Sequence, residues 1–249
     1  MKALVTGASS GIGRDIAIYL SSLGHDVIMV SSDIDKLNKA KKYIKGNCKV
    51  IKCDLSKEKE CIKLYEQTKD ENIDILINNA GFGAFGEFTE TSLDKELNMI
   101  DVNIKGVHIL TKLFLKDFVK RDSGYILNVS SSAAFEPGPL MATYYSTKAY
   151  VLRLTTSIYE ELRRSKSNVH VSVLCPGPVK TNFNNVANVK FEIRSVSSDY
   201  VAKYGVDKMF KNKLIIVPTF YMKVLIFFSK ISPTKLIARI AYNIQDKKR

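Results

Sequence analysis

Short apolar runs alternate with longer amphipathic segments along most of the chain, and this alternation limits the fold more than any other feature of the sequence. Strands are read near residues 2–6, 26–31, 48–52, 73–77, 124–130, 169–174 and 213–217. Helices are read at about 11–23, 34–45, 56–70, 92–119, 143–165 and 199–211, the last N-capped by Ser198-Asp199. A strand–helix–strand succession builds a parallel sheet with helices on both faces. The pattern therefore predicts an α/β fold, a seven-stranded doubly wound parallel sheet. Such sheets bind ligands beyond the carboxyl ends of their strands, so chemistry is expected in the loops that follow strands.

A length of 249 residues suits one such domain. Residues 1–218 are read as the catalytic unit, and 219–249 as a basic helical extension of it. Met1 leads straight into the first strand and leaves no room for a signal peptide, so a cytoplasmic protein is expected. Cys48, Cys53, Cys61 and Cys175 form no Cys-x-x-Cys pair, and His25, His108 and His170 are too few to complete a zinc site, so no metal is expected.

Thr6-Gly7-Ala8-Ser9-Ser10-Gly11-Ile12-Gly13 follows the first strand and opens the first helix. Free N–H groups and the helix dipole favour a pyrophosphate there, and Gly7, Gly11 and Gly13 let the backbone approach it. The spacing is G-x-x-x-G-x-G rather than the G-x-G-x-x-G of many dinucleotide-binding turns. Asn78-Asn79-Ala80-Gly81 follows the fourth strand.

A third motif pairs Tyr144 with Lys148, about one helical turn apart, and places Ser131 thirteen residues upstream. Chance alone yields about 1.4 Tyr-x-x-x-Lys matches in a chain with 12 Tyr and this much Lys. Tyr65/Lys69 and Tyr204/Lys208 also match, but Lys52 and Phe191 stand thirteen residues before them, where Tyr144 has a serine. A phenol beside an ammonium and a hydroxyl can exchange a proton with a carbonyl oxygen.

These three motifs, in this order, resemble the signature of the short-chain dehydrogenase/reductase family over about residues 2–219. The resemblance implies a Rossmann-type domain that moves hydride between nicotinamide and a carbonyl or secondary alcohol. Within it Tyr144 is the acid/base, Ser131 orients the substrate oxygen, and Lys148 tunes Tyr144 and holds the ribose. Lowering a tyrosine from about 10 to about 7 takes roughly 4 kcal/mol, which Lys148 and an oxidised nicotinamide would supply. Asn103 would distort its helix and carry a water toward Lys148. Ser9, Ser10 and Ile12 join the glycines at the cofactor, Asp54 and Leu55 meet the adenine, and Asn78, Ala80 and Gly81 line the cofactor's path. Pro176, Gly177, Val179 and Thr181 meet the nicotinamide. For Asp54 and Asn103, capping the next helix and satisfying a kinked backbone stand as alternative roles. A non-catalytic dinucleotide sensor or scaffold on the same fold is the competing function, and the intact Ser131/Tyr144/Lys148 set argues against it.

The chain departs from the family where the cofactor is chosen. Val30-Ser31-Ser32-Asp33 has Ser31 where an NAD-type acid usually stands and Ser32 where an NADP-type arginine usually stands. Without an acid at position 31 to repel a 2′-phosphate, NADP(H) is expected over NAD(H), although Asp33 pulls the other way unless it caps the next helix. Residues 175–198, passing through Asn182, Asn184, Asn185 and Asn188, are a candidate lid. The family also implies a homodimer or homotetramer through the helices at 92–119 and 143–165.

Residues 203–249 carry eleven Lys/Arg and two Asp/Glu of a chain whose net charge is +13. No nucleic-acid motif accompanies that charge, so no nucleic-acid partner is expected. Pro218, Lys223 and Lys230 interrupt the apolar run at 214–231, which excludes a spanning helix. Two readings stand for 219–249. It is either a helical cover over the sheet, pocket or second subunit, or an amphipathic element on an anionic membrane that reaches lipid-like substrates.

Overall fold

Ala3, Leu4, Val5 and Thr6 are all buried, which places the first strand, β1 (Lys2–Thr6), at the centre of the sheet rather than its edge. The computed structural model describes residues 1–181 and 195–247. In it β1 is followed by α1 (Gly11–Ser22), β2 (Asp26–Ser31), α2 (Ile34–Lys41), β3 (Cys48–Lys52), α3 (Glu58–Thr68) and β4 (Ile75–Asn78). Then come α4 (Leu93–Ile100), α5 (Val107–Lys120), β5 (Gly124–Val129), α6 (Ala142–Arg164) and β6 (Val169–Leu174). After β7 (Val179–Lys180) and β8 (Val196–Ser197) the chain continues through α7 (Ser198–Phe210), β9 (Ile215–Ile216), α8 (Phe220–Ile231) and α9 (Thr234–Asp246).

The seven-stranded sheet runs β3-β2-β1-β4-β5-β6-β9, all parallel. Because side chains alternate along a strand, Ala3 and Val5 enter one core with Ile16, Leu20 and Met209, while Leu4 enters the other with Leu64, Phe114 and Phe118. Helices α1 and α7 cover the first face, and α3, α5 and α6 the second. Burying each such Leu or Phe contributes about 1.5–3 kcal/mol. The strand order reverses between β1 and β4, opening a crevice at the carboxyl edge.

Several expected boundaries move. The segment read as one helix over 92–119 is interrupted by a π-helical stretch, Asp101–Gly106, between α4 and α5. The last strand shrinks to Ile215–Ile216, and α7 is capped by Ser197, whose hydroxyl accepts from Tyr200 N at 3.2 Å, so Ser198 is already helical. The short parallel pair β7–β8 had no sequence signal, since two-residue strands carry no periodicity. Of the candidate lid, Asn182, Asn184, Asn185 and Asn188 lie outside the described residues. Among the described residues no helix is long and apolar enough to cross a membrane.

Candidate active site

The loops after β1, β4, β5 and β6 leave the sheet side by side and floor a cavity of about 840 Å³. Gly7 and Gly11 have φ of +64° and +56°, a conformation that side chains disfavour. Thr6 Oγ1 accepts from the backbone N–H of Asn79 at 3.0 Å and of Ala80 at 3.1 Å, and Asn79 Nδ2 donates to the Thr6 carbonyl at 3.1 Å. The turns after β1 and β4 are thereby tied together. Ser10 heads α1 without a capping side-chain bond, and no acid stands in the first turn, so the helix N-terminus keeps its affinity for anions. Ser9, Gly11 and Ile12 line the cavity, whereas Gly13 packs inside against the Gly7 carbonyl.

Ser31 and Ser32 also line it, and Ser31 Oγ donates to Ser9 Oγ at 3.0 Å. Asp33 is engaged elsewhere: its carboxylate accepts from Lys36 N and pairs with Lys36 Nζ, both at 3.0 Å, as the cap of α2. Asp54 and Leu55 face the cavity. Burial raises the Asp54 carboxyl, but hydrogen bonds from Ser56 and the Lys57 ammonium together outweigh it and leave the pKa below the usual value. The cap of α3 is Lys57, so Asp54 does not take that alternative role.

Asn78 does not face the cavity. As the last residue of β4 it points into the interior, where Nδ2 donates to Asn128 Oδ1 at 2.9 Å and Thr111 Oγ1 at 3.0 Å. Asn128 Nδ2 in turn donates to Thr155 of α6 at 2.9 Å. This buried chain of amides and hydroxyls joins β4, β5, α5 and α6, and so fixes the helix that carries Tyr144. Asn79, absent from the expected site, is the one at the cavity. The period-2 register of β4, which puts Asn78 and Asn79 on opposite sides, was the signal for it.

Ser131 follows β5, and α6 presents Tyr144 and Lys148 on one face. Ser131 Oγ accepts from Ala133 N at 3.2 Å, and the Ser131 and Tyr144 hydroxyls are hydrogen-bonded to each other. Tyr144 is 9% and Lys148 5% exposed. Burial pushes the Tyr144 phenol up to about 12, a rise that the Ser131 bond only partly offsets. Burial likewise pulls the Lys148 ammonium down to about 8. Lys148 Nζ donates to the Val129 carbonyl at 3.1 Å and lies 5.8 Å from the Tyr144 ring centroid. Desolvation thus holds Tyr144 as a neutral phenol in the cofactor-free protein. The other two Tyr-x-x-x-Lys matches lie away from the cavity, their tyrosines packed against the core, with Tyr65 donating to Asp117 at 2.8 Å and Lys208 Nζ 5.5 Å over the Tyr204 ring.

Asn103 sits in the π-helical stretch, fully buried. Its Oδ1 accepts from Phe82 N at 3.1 Å, and Nδ2 donates to the Phe82 carbonyl at 2.9 Å and Thr147 Oγ1 at 3.0 Å. It therefore supports the Gly81 backbone and α6 without lining the cavity. A Cβ on Gly81 would stand 2.9 Å from Asn103 Oδ1 and 3.2 Å from Lys148 Nζ, so only glycine leaves that floor open. Ala80, Pro176, Gly177, Val179 and Thr181 line the same end, Thr181 against Gly11.

The far wall comes from the C-terminal helices. Met222 and Ile226 of α8 join the buried cluster of Val151 and Cys175, and Gln245 Nε2 of α9 donates to Tyr145 OH at 2.7 Å. Tyr145 and Gln245 were not expected, since one hundred residues separate them and neither belongs to a motif.

The short chain dehydrogenase family profile matches residues 1–190. Over 181 residues the chain is 35% identical to an uncharacterized oxidoreductase of Staphylococcus epidermidis, covering 72% of this chain and 78% of that protein. Over 207 residues it is 31% identical to the 3-oxoacyl-acyl-carrier-protein reductase of Rickettsia prowazekii, covering 82% and 83%. A short-chain dehydrogenase from Sphingobium yanoikuyae in complex with NADPH superimposes with a TM-score of 0.82 at 25% identity over 88% of each chain.

Proposed function

We propose that this chain, which belongs to the short-chain dehydrogenase/reductase family, reduces a lipid-like carbonyl compound with NADPH. Like its family it is an NAD(P)-dependent oxidoreductase acting on CH–OH and C=O groups. The observation that carries this reading is the Tyr144 phenol at the cavity wall, hydrogen-bonded to Ser131 and one helical turn from Lys148. The Ser131 and Tyr144 hydroxyls meet at the cavity wall, Tyr144 buried and Ser131 partly buried, and a carbonyl oxygen placed there would accept from both. Reduction needs a phenol that gives up a proton, whereas oxidation would need it already ionised.

The residues fit a dinucleotide. The bare N-terminus of α1 and the glycine turn suit a pyrophosphate, and the floor at Gly81 stays open beside Lys148. Such a cofactor supplies hydride when bound. Ser131 orients the substrate oxygen and Tyr144 protonates it. Lys148 holds the ribose hydroxyls, while Asn103 keeps the Gly81 floor and α6 in place. Removing one such preorganised donor typically lowers kcat by about 10²–10³.

Support for NADPH comes from Ser31 and Ser32 at the cavity and from Asp33, whose carboxylate is taken up by Lys36. Support for a lipid-like substrate comes from the apolar wall of Met222, Ile226, Ile240 and Ile244, and from the 3-oxoacyl chemistry named in the Rickettsia relative. Assembly as a dimer or tetramer through α4, α5 and α6 is part of the same reading, favoured by the exposed Leu93 and Leu97, and light scattering measures it.

A panel of aliphatic ketones and 3-oxoacyl thioesters, followed by NADPH absorbance, tests the proposal. Turnover is expected with NADPH over NADH, and Ser31→Asp should shift the ratio toward NADH. Turnover that survives Tyr144→Phe would remove Tyr144 as the acid.

A further inference from the structure

Helix α8 carries apolar side chains on two opposite stripes, with Lys223 and Lys230 together on one flank between them. Only one side is covered. Met222 and Ile226, four residues apart, are buried against the body of the protein. Phe220, Val224, Phe227 and Ile231 follow each other at helical spacing on the opposite stripe, with Phe220 78%, Phe227 60% and Ile231 65% exposed. On helix α9 Ala241 and Gln245 are buried, and Leu236, Ile240 and Ile244 form an exposed apolar stripe beside them, the two isoleucines along the cavity. Adjacent exposed apolar stripes on two consecutive helices exceed the scattered hydrophobics of an ordinary surface.

We propose that the outer face of α8 and α9 docks on an anionic lipid bilayer, and that the catalytic cavity opens through this face. Charge chooses the occupant. Lys223, Lys230, Lys235, Arg239 and Lys247 are exposed around the apolar stripes, against Asp246 as the only acid in residues 219–247. A second copy of this chain bound across a two-fold axis would set this patch against itself and bring like charges together. An anionic membrane takes the same apolar side chains among its acyl chains and meets the cations with its headgroups.

The cavity supplies the second argument. Leu225, Phe228, Ile240 and Ile244 are exposed, yet they also line the space that ends at Tyr144. Apolar surface is therefore continuous from the outer face to the reacting end. A substrate with a long hydrocarbon part can pass along it without entering water.

Sedimentation with vesicles tests the docking without any need for turnover. The full chain should sediment with phosphatidylcholine vesicles containing phosphatidylglycerol and not with phosphatidylcholine alone, and raising the salt should release it. Phe220→Ser, Phe227→Ser and Ile231→Ser combined should lower vesicle binding at least about tenfold. None of the three lines the cavity, so circular dichroism and reduction of a water-soluble ketone should be unchanged in that variant. Failure of the wild-type chain to bind anionic vesicles overturns the proposal. So does a dimer that dissociates in the triple variant, since the face would then be covered by a second copy. Failure of the ketone assay with vesicle binding intact would instead overturn only the reading of the active site.

Discussion

Lys148→Met should make the protein more stable while abolishing its reaction. The lysine side chain is 5% exposed, and burial draws its pKa from 10.5 to about 8. The unfolded chain therefore binds more protons than the folded one between about pH 8 and 10.5, so stability rises with pH across that window. Below about pH 8 the penalty for holding the ammonium out of water is fully present, and above about 10.5 it is gone. A shift of this size corresponds to about 3 kcal/mol at pH 7. Methionine keeps the length of the side chain but loses the bond to the Val129 carbonyl, worth about 1 kcal/mol. The net gain expected at pH 7 is about 2 kcal/mol, or roughly 4–8 °C in Tm for a chain of this size. At pH 9.5 most of the penalty has been relieved in the parent, so the gain should fall by about 2 kcal/mol and nearly vanish. Tyr144 works in the opposite sense, because a phenol raised to about 12 loses stability only as pH climbs from about 10. Working at or below pH 9.5 keeps it silent. Urea unfolding of cofactor-free parent and variant at the two pH values reads both numbers. A variant less stable than the parent at pH 7, or a gain that is the same at both, would refute burial as the source of the low lysine pKa. Such a trade of stability for a charged group in a dry site is common where chemistry is done.

Two further substitutions probe the scaffold around that site. Gly81→Ala should lower kcat/KM about tenfold or more and lower stability by about 1–3 kcal/mol, because its Cβ would stand 2.9 Å from the buried Asn103 Oδ1 and 3.2 Å from Lys148 Nζ; steady-state kinetics with NADPH and urea unfolding check it. Asn128→Ala removes the acceptor of Asn78 and the donor to Thr155, and should destabilise the fold by about 2–4 kcal/mol in urea unfolding.

What a single stretch of chain can encode was readable from the sequence. The alternation of apolar runs and amphipathic segments set the parallel sheet, because each element needs only its own periodicity to declare which face it buries. The glycine turn and the Tyr144/Lys148 spacing were readable for the same reason, since a turn and a helix convert short separations directly into geometry. What required partners from elsewhere in the chain was not. The period of the 92–119 segment is helical throughout, and its π-helical break at Asp101–Gly106 goes with Asn103 binding the backbone of Phe82. The buried pairing of Asn78 with Thr111 and Asn128 came from α5 and β5, and the Tyr145–Gln245 bond from helices a hundred residues apart. Above all, the protonation of Tyr144 and Lys148 was decided by the whole tertiary structure. Proximity in sequence brings a cation to a phenol, but dielectric surroundings are the sum of every group packed around the pair, and here their dryness favours the neutral form of each.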